Sequence, residues 1–207
     1  MLKRFRRHAG VTDAWTGVCG RRVRHGFSLP EILVALAIIA TLSVVVLPAV
    51  MNKLTEARAA ALSQTLDGIN KTVQSYRGNV GRYPRYLRQL SEKPATAGAL
   101  AADLCGSTTP LVNINQWRGP YSSRTFTDVG TQVGDATVQD GLRRVPSTTP
   151  PSFAVAYVDV INVDEAVASS VNRAFDGDGN YNAGTILWVP ATPPMGTLSF
   201  GIPVRGC

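Results

Sequence analysis

Charge and apolarity separate sharply near the N-terminus. Residues Ile32 to Asn52 contain no charged side chain; Glu31 stands just before them and Lys53 just after. Twenty-one uncharged residues as a helix span about 32 Å, close to the hydrocarbon thickness of a bilayer. Beyond Lys53 the pattern changes rather than ends. Met51, Leu54, Leu62, Leu66, Ile69, Val73 and Tyr76 recur mostly at spacings of three and four, so one helical face stays apolar. Lys53, Glu56, Arg58, Asp67 and Lys71 fall mainly on the other faces. The spacing predicts one helix from about Ser28 to Arg77, roughly 75 Å long. Its first half is apolar all round, and its second half needs a packing partner. Pro48 is expected to kink the first half, Gly68 to weaken the second, and Gly78 and Gly81 to end the helix.

The remainder reads differently. Residues 78–110 are a polar connection in which Pro84 can open a short helix through Gln89 and Leu90, with Ala97–Leu104 forming another turn or two. Residues 123–151 are rich in Thr, Gly and Pro. Asp140-Gly141, between Val138 and Leu142, is a hairpin signal. Ser152 to Ile161 alternates, with Phe153, Val155, Tyr157 and Asp159 on one face and Ala154, Ala156, Val158 and Val160 on the other. Asp164–Phe175 places Val163, Val167, Val171 and Phe175 at spacing four, the mark of a short amphipathic helix. Thr185–Val189 and Thr197–Val204 are two more strand candidates. The fold class is therefore α+β: a long N-terminal helix whose amphipathic half packs on a C-terminal antiparallel sheet. The expected organisation is a leader at 1–26, a long helix at 27–77 with a membrane segment at 32–52, and a globular head at 78–207.

Composition sharpens the boundary at residue 26. The chain of 207 residues has a formal net charge of +7. Lys3, Arg4, Arg6, Arg7, Arg21, Arg22 and Arg24 stand against Asp13 alone, so nearly all of that excess lies in residues 1–26. A basic segment beside a membrane helix marks the cytoplasmic side, which puts the head across the membrane. Both histidines, His8 and His25, also precede residue 27. If the leader is removed, Ser-His-Asp and Cys-His catalysis and His-ligated zinc are excluded in the mature product. Cys105 and Cys207 remain on the exported side, where disulfides persist. Pairing them would close a loop whose chain-entropy value is roughly 4–5 kcal/mol at most; the alternative is two buried thiols.

The order of parts matters. A secretory signal is cut after its apolar run, whereas here the sharp junction, Gly26-Phe27, lies before it. Ser28-Leu29-Pro30-Glu31 fits the S-x-x-E capping box, and a carboxylate is favourable at a helix N-terminus. A carboxylate entering hydrocarbon unpaired costs about 2.5–3.5 kcal/mol. An ionic partner, such as the amine that cleavage after Gly26 would create on Phe27 of a neighbouring subunit, is the functional alternative to a plain cap. Taken together, residues 26–53 resemble the class III signal of type IV pilins and type II secretion pseudopilins. The shared features are a glycine before the cut, Phe27 as the new first residue, Glu31 in the fifth mature position, an apolar helix, and Pro48 in the family's helix-breaking place. Pro30 and the length of the leader depart from the commoner pattern. The resemblance implies cleavage by a prepilin peptidase, N-methylation of Phe27, a role for Glu31 in assembly, and subunits stacked by their helices on an inner-membrane platform. It implies a single-pass inner-membrane precursor with a periplasmic head, then a filament in the periplasm or at the cell surface.

Within the head, Gly81-Arg82-Tyr83-Pro84 and Gln116-Trp117-Arg118-Gly119-Pro120-Tyr121 are similar to pseudopilin segments, and their physical role is a turn with aromatic packing. The Cys105–Cys207 pair resembles the C-terminal disulfide loop of type IV pilins. Asp176, Asp178 and Asn180 alternate on a Gly-rich loop in a way that suits Ca²⁺, although the glutamate of a full twelve-residue loop is replaced by Leu187; the same residues also fit a polar turn. Arg143 and Arg144, with Lys93, Arg118 and Arg124, read as solvated surface charges, and nucleic-acid binding is not expected. The expectation is a structural, non-enzymatic filament subunit, pilin or pseudopilin. Its rival is a signal-anchored periplasmic binding protein that never assembles, with the Asp176–Asn180 loop as a calcium site.

Overall fold

The computed structural model describes residues 27–94, 102–106, 114–145 and 154–205. The chain divides into two compact units, Met1–Val45 and Val46–Cys207. Helix α1, Leu29–Val80, begins in the first and ends in the second, and it continues through Pro48. In the first unit the described residues are helical from Leu29, and their large apolar side chains are exposed. Thr41 and Ser43 donate to the carbonyls of Ile38 and Ile39, each at 2.8 Å, so these hydroxyls are satisfied within the helix itself.

In the second unit, α1 ends three residues later than Arg77. Gly81 takes φ of +77° and its amide reaches back to the Arg77 carbonyl at 2.7 Å, a left-handed helix stop. Continuing through Gly78 costs about 1 kcal/mol. Val80, completely buried, contributes about 1.5–3 kcal/mol, so burial wins.

Five antiparallel strands follow in the order β1-β2-β3-β5-β4: β1 Thr131–Val133, β2 Ala136–Val145, β3 Ala154–Asp164, β4 Ile186–Thr192 and β5 Met195–Val204. Helix α2 is a single turn, Arg88–Ser91, and α3 spans Glu165–Phe175 between β3 and β4. The expected alternation in β3 holds: Ala154, Ala156, Val158 and Val160 are buried, while Val155, Tyr157 and Asp159 are half-exposed. Leu198, Phe200, Ile202 and Val204 on β5 join them, and the helix row Leu62, Leu66, Ile69, Val73 and Tyr76 closes one core over this face. The architecture is a long helix packed on an antiparallel sheet, α+β and pilin-like. Asp164 caps α3 by accepting from the Ala166 amide at 2.8 Å, which is why the helix starts where the strand ends.

The hairpin expected at Asp140-Gly141 is not there. The reversal between β1 and β2 is at Gly134-Asp135, with Gly134 at φ +62°. Asp140 and Gly141 lie inside β2, where four steps along β2, from Val138 to Leu142, match two steps along β3, from Val160 to Val158. The ladder bulges because Asp140 faces inward. Its carboxylate accepts from the Arg88 amide at 2.8 Å, and its carbonyl accepts from the Leu87 amide at 2.7 Å. A turn signal became a bulge because a distant segment needed an acceptor there. The stretch 97–101 and the Ser152-Phe153 start expected for β3 lie outside the described residues.

Candidate functional site

The N-terminal segment combines a helix start with a charge. Ser28 immediately precedes α1, and its carbonyl accepts from the amides of Glu31 at 3.0 Å and Ile32 at 3.2 Å. Pro30 sits in the first turn, where its missing N–H leaves no helical bond unmade. Glu31 is the acidic residue of that turn and is exposed, so its charge complements the helix dipole. Phe27 is 77% exposed. The apolar window that follows is long enough to cross a membrane, and none of it is buried. In water such a surface would be costly, since about 25 cal/mol per Å² is lost by leaving it hydrated. The segment therefore suits a lipid or protein surround. Gly26, the residue before the expected cut, lies outside the described residues.

The head is built around the C-terminal end of α1. Arg77 donates to the Arg205 carbonyl at 3.0 Å and lies 4.9 Å from the Tyr83 ring centroid. The Arg205 amide donates to the Tyr83 hydroxyl at 3.1 Å, so helix, connection and last strand are tied at one point. Gln89 is a second tie that the sequence did not advertise. Its buried Oε1 accepts from the amides of Arg85 at 2.7 Å and Tyr86 at 3.1 Å, and its Nε2 donates to the Ala102 carbonyl at 3.2 Å. Trp117 Nε1 donates to the Gln89 carbonyl at 3.1 Å, and the Tyr121 amide donates to the Leu90 carbonyl at 2.7 Å. The rings of Tyr76 and Trp117 meet Tyr121 edge-on at 5.6 and 5.8 Å. The tryptophan–Gly-Pro-Tyr turn thus does the packing job expected of it.

Two buried carboxylates were also missed. Asp103 pairs with Arg82, and Asp140 lies 2.9 Å from Arg88 Nε. The Arg88–Asp140 contact is not aligned as a hydrogen bond, so it counts as charge attraction. Burial holds the Asp140 carboxyl above the ordinary carboxylate range, and the Arg88 amide and guanidinium only partly offset this. Burial likewise raises the Tyr76 hydroxyl, which has no hydrogen-bond partner among the described residues.

The Asp176–Asn180 loop is organised by backbone contacts. The Asp176 carboxylate accepts from the amides of Thr185 at 2.9 Å and Ile186 at 2.8 Å, fastening the end of α3 to the start of β4. Asp178 accepts from the Asn180 amide at 3.1 Å, and the Asn180 side chain accepts from the Asn182 amide at 3.0 Å. Among the described residues, no group of three or more acidic, histidine or cysteine side chains gathers to hold a metal. Cys105 is disulfide-bonded, and Cys207 lies outside the described residues.

Comparison with known families adds one match. Residues 21–47 match the family model described as the prokaryotic N-terminal methylation motif, the prepilin-type cleavage and methylation signal of type IV pilins and pseudopilins. The match covers the junction at Gly26-Phe27, Glu31 and most of the apolar run, and it stops before the head. No curated protein and no solved structure matches the chain. The motif implies processing by prepilin peptidase and assembly with pilin-type subunits, and the one apolar helix of membrane length among the described residues fits a membrane-anchored, single-pass protein.

Proposed function

We propose that this chain is a structural subunit, pilin or pseudopilin, of a type IV pilus or type II secretion-type filament. The precursor sits in the inner membrane through residues 32–52, with its leader in the cytoplasm and its head in the periplasm. Prepilin peptidase cuts after Gly26, and Phe27 becomes the N-methylated first residue. Glu31 then meets the new amine of a neighbouring Phe27 as subunits dock on the assembly platform. Pro48 kinks the helix without ending it, and Cys105 pairs with Cys207 to fasten the end of the head.

One observation carries this reading. The processing signal at residues 21–47 runs directly into an apolar helix with its side chains uncovered, and that helix continues into a self-contained head. Electrostatics supports the role of Glu31. A lone carboxylate at the edge of an apolar span costs a few kcal/mol unless paired, and a neighbouring subunit's N-terminal amine lies in the same membrane layer.

Intact mass of the membrane-extracted protein tests the processing. A chain beginning at Phe27 and carrying one extra methyl group is expected, and a chain that keeps residues 1–26 overturns the reading in favour of a plain signal anchor. Glu31→Leu tests the assembly step. It should be cleaved normally yet be missing from sheared filament fractions, and normal incorporation would refute the docking role.

A further inference from the structure

The turn joining β4 to β5 is both exposed and apolar. Residues 189–195, Val-Pro-Ala-Thr-Pro-Pro-Met, are exposed without a break. Val189 is 64% exposed and Met195 39%. No charged side chain occurs anywhere from Thr185 to Val204. Single apolar side chains on a surface are ordinary, but an uninterrupted run at a hairpin tip marks a contact surface.

The fold fixes which end of the head carries the tip. Strand β5 runs alongside α1. At its far end, Gln74 donates to the Pro203 carbonyl at 3.4 Å and Arg77 to the Arg205 carbonyl at 3.0 Å. At its near end, Met195 shares a small cleft with Arg58 and Leu62. From Arg205 back to Met195 an extended chain descends about 33 Å. From Arg77 back to Lys53 the helix descends about 36 Å. The tip therefore lies within about 5–10 Å of the level of Lys53, where the uncharged span ends. Val46–Asn52, the last part of that span, belongs to the same compact unit as the head.

We infer that the β4–β5 tip is a second membrane contact, dipping into the interfacial layer on the head's side of the bilayer while residues 32–52 span it. Apolar side chains need to enter only about 5–10 Å to reach the acyl boundary. Membrane helices tilt by about 20° on average, and tilt toward the sheet closes the remaining gap. Backbone chemistry favours lipid over another chain. Pro190, Pro193 and Pro194 carry no N–H, so few donors are left unpaired in an apolar layer. The same prolines deny an added strand the bonds it would need along this edge. The Pro194 carbonyl already accepts from the Glu165 amide at 3.2 Å, and Thr192 pairs with Met195 in the ladder. Asp164 and Glu165 flank the tip, so the surface it fits is zwitterionic rather than anionic. The contact sets how the head is rotated about α1 while the chain is held in the membrane. It presupposes that residues 32–52 span the membrane and is independent of filament assembly.

Quenching of tryptophan emission by brominated lipid tests this on the full chain, reconstituted in phosphatidylcholine vesicles and recovered by flotation. Trp15, Trp117 and Trp188 are common to every variant, so the differences between variants are what count. Val189→Trp should add emission that brominated acyl chains quench, by at least about twice the fraction found for Pro203→Trp. Pro203 is exposed at the opposite end of β5. Adding Ala191→Asp to Val189→Trp should remove at least about half of that excess, because a carboxylate resists immersion. Ala191 is itself exposed, so the head keeps its core. Equal quenching of Val189→Trp and Pro203→Trp in floated vesicles overturns the tip contact and leaves the membrane span standing. A chain that does not float with the vesicles overturns both. A Val189→Trp emission that is blue-shifted yet untouched by brominated lipid would mean that a second copy of the chain covers the tip, which also overturns the lipid contact.

Discussion

Replacing Asp140 by alanine tests how the bulge in β2 is held. The carboxylate is 4% exposed. It accepts from the Arg88 amide at 2.8 Å and attracts the Arg88 guanidinium at 2.9 Å. Losing a hydrogen bond to a charged group costs about 1.5–3 kcal/mol. Two effects reduce the total: the desolvation cost of the buried carboxylate disappears, and Arg88, 28% exposed, regains some water. We expect a net loss of about 2 kcal/mol, which for a chain of this size lowers Tm by roughly 4–8 °C. Asp140→Asn keeps an acceptor for the Arg88 amide and should lose less than half of that. The pH dependence separates the two contributions. The folded carboxyl titrates above its ordinary value of 3.8, chiefly because of burial. Below that raised value and down to the ordinary one, the native state binds more protons than the unfolded chain, so stability rises as pH falls. The parent-minus-Asn difference in Tm should therefore shift in the parent's favour on acidification through that window. Thermal unfolding in non-ionic detergent, followed by circular dichroism between pH 7 and pH 3.5, reads both effects. An unchanged Tm for Asp140→Ala, or a parent-minus-Asn difference that moves the other way with acid, would refute the reasoning.

Other changes follow from the same core. Tyr76→Phe deletes a buried hydroxyl that has no hydrogen-bond partner among the described residues and should be neutral or stabilising by up to about 1 kcal/mol; a fall in Tm of several degrees would refute this. Leu66→Ala, at a position completely buried in the helix–sheet core, should cost about 2–5 kcal/mol in chemical denaturation. Gly119→Ala would place a methyl 2.4 Å from the Trp117 ring. It should cost about 1–3 kcal/mol and shift tryptophan emission to the red, and an unaltered spectrum would count against the tight turn.

Much of the fold was legible because it is written in short-range pattern. The three-and-four spacing of Leu62, Leu66, Ile69 and Val73 marked the buried stripe of α1. Alternation in β3 named its inward side chains, and the spacing of Val163, Val167, Val171 and Phe175 marked α3. The reading failed where a side chain serves a partner far along the chain. Asp140-Gly141 looks like a hairpin turn locally, but its carboxylate answers an amide 52 residues away. Asp176 has the look of a metal ligand, yet both its oxygens are taken by amides nine and ten residues on. Gln89 is an ordinary polar residue in a short segment until the fold buries it among backbone donors and acceptors.

By itself, the sequence determined the processing signal, the uncharged span and the isolated Glu31. Each of these depends on order along the chain and on transfer from water to an apolar surround. No tertiary contact is needed to make them recognisable, and the family match rests on the same residues. Only the tertiary structure decided which turn signal became a bulge, and which carboxylates became backbone acceptors. These outcomes follow from burying polar groups, since each buried donor or acceptor must find a partner wherever the fold supplies one.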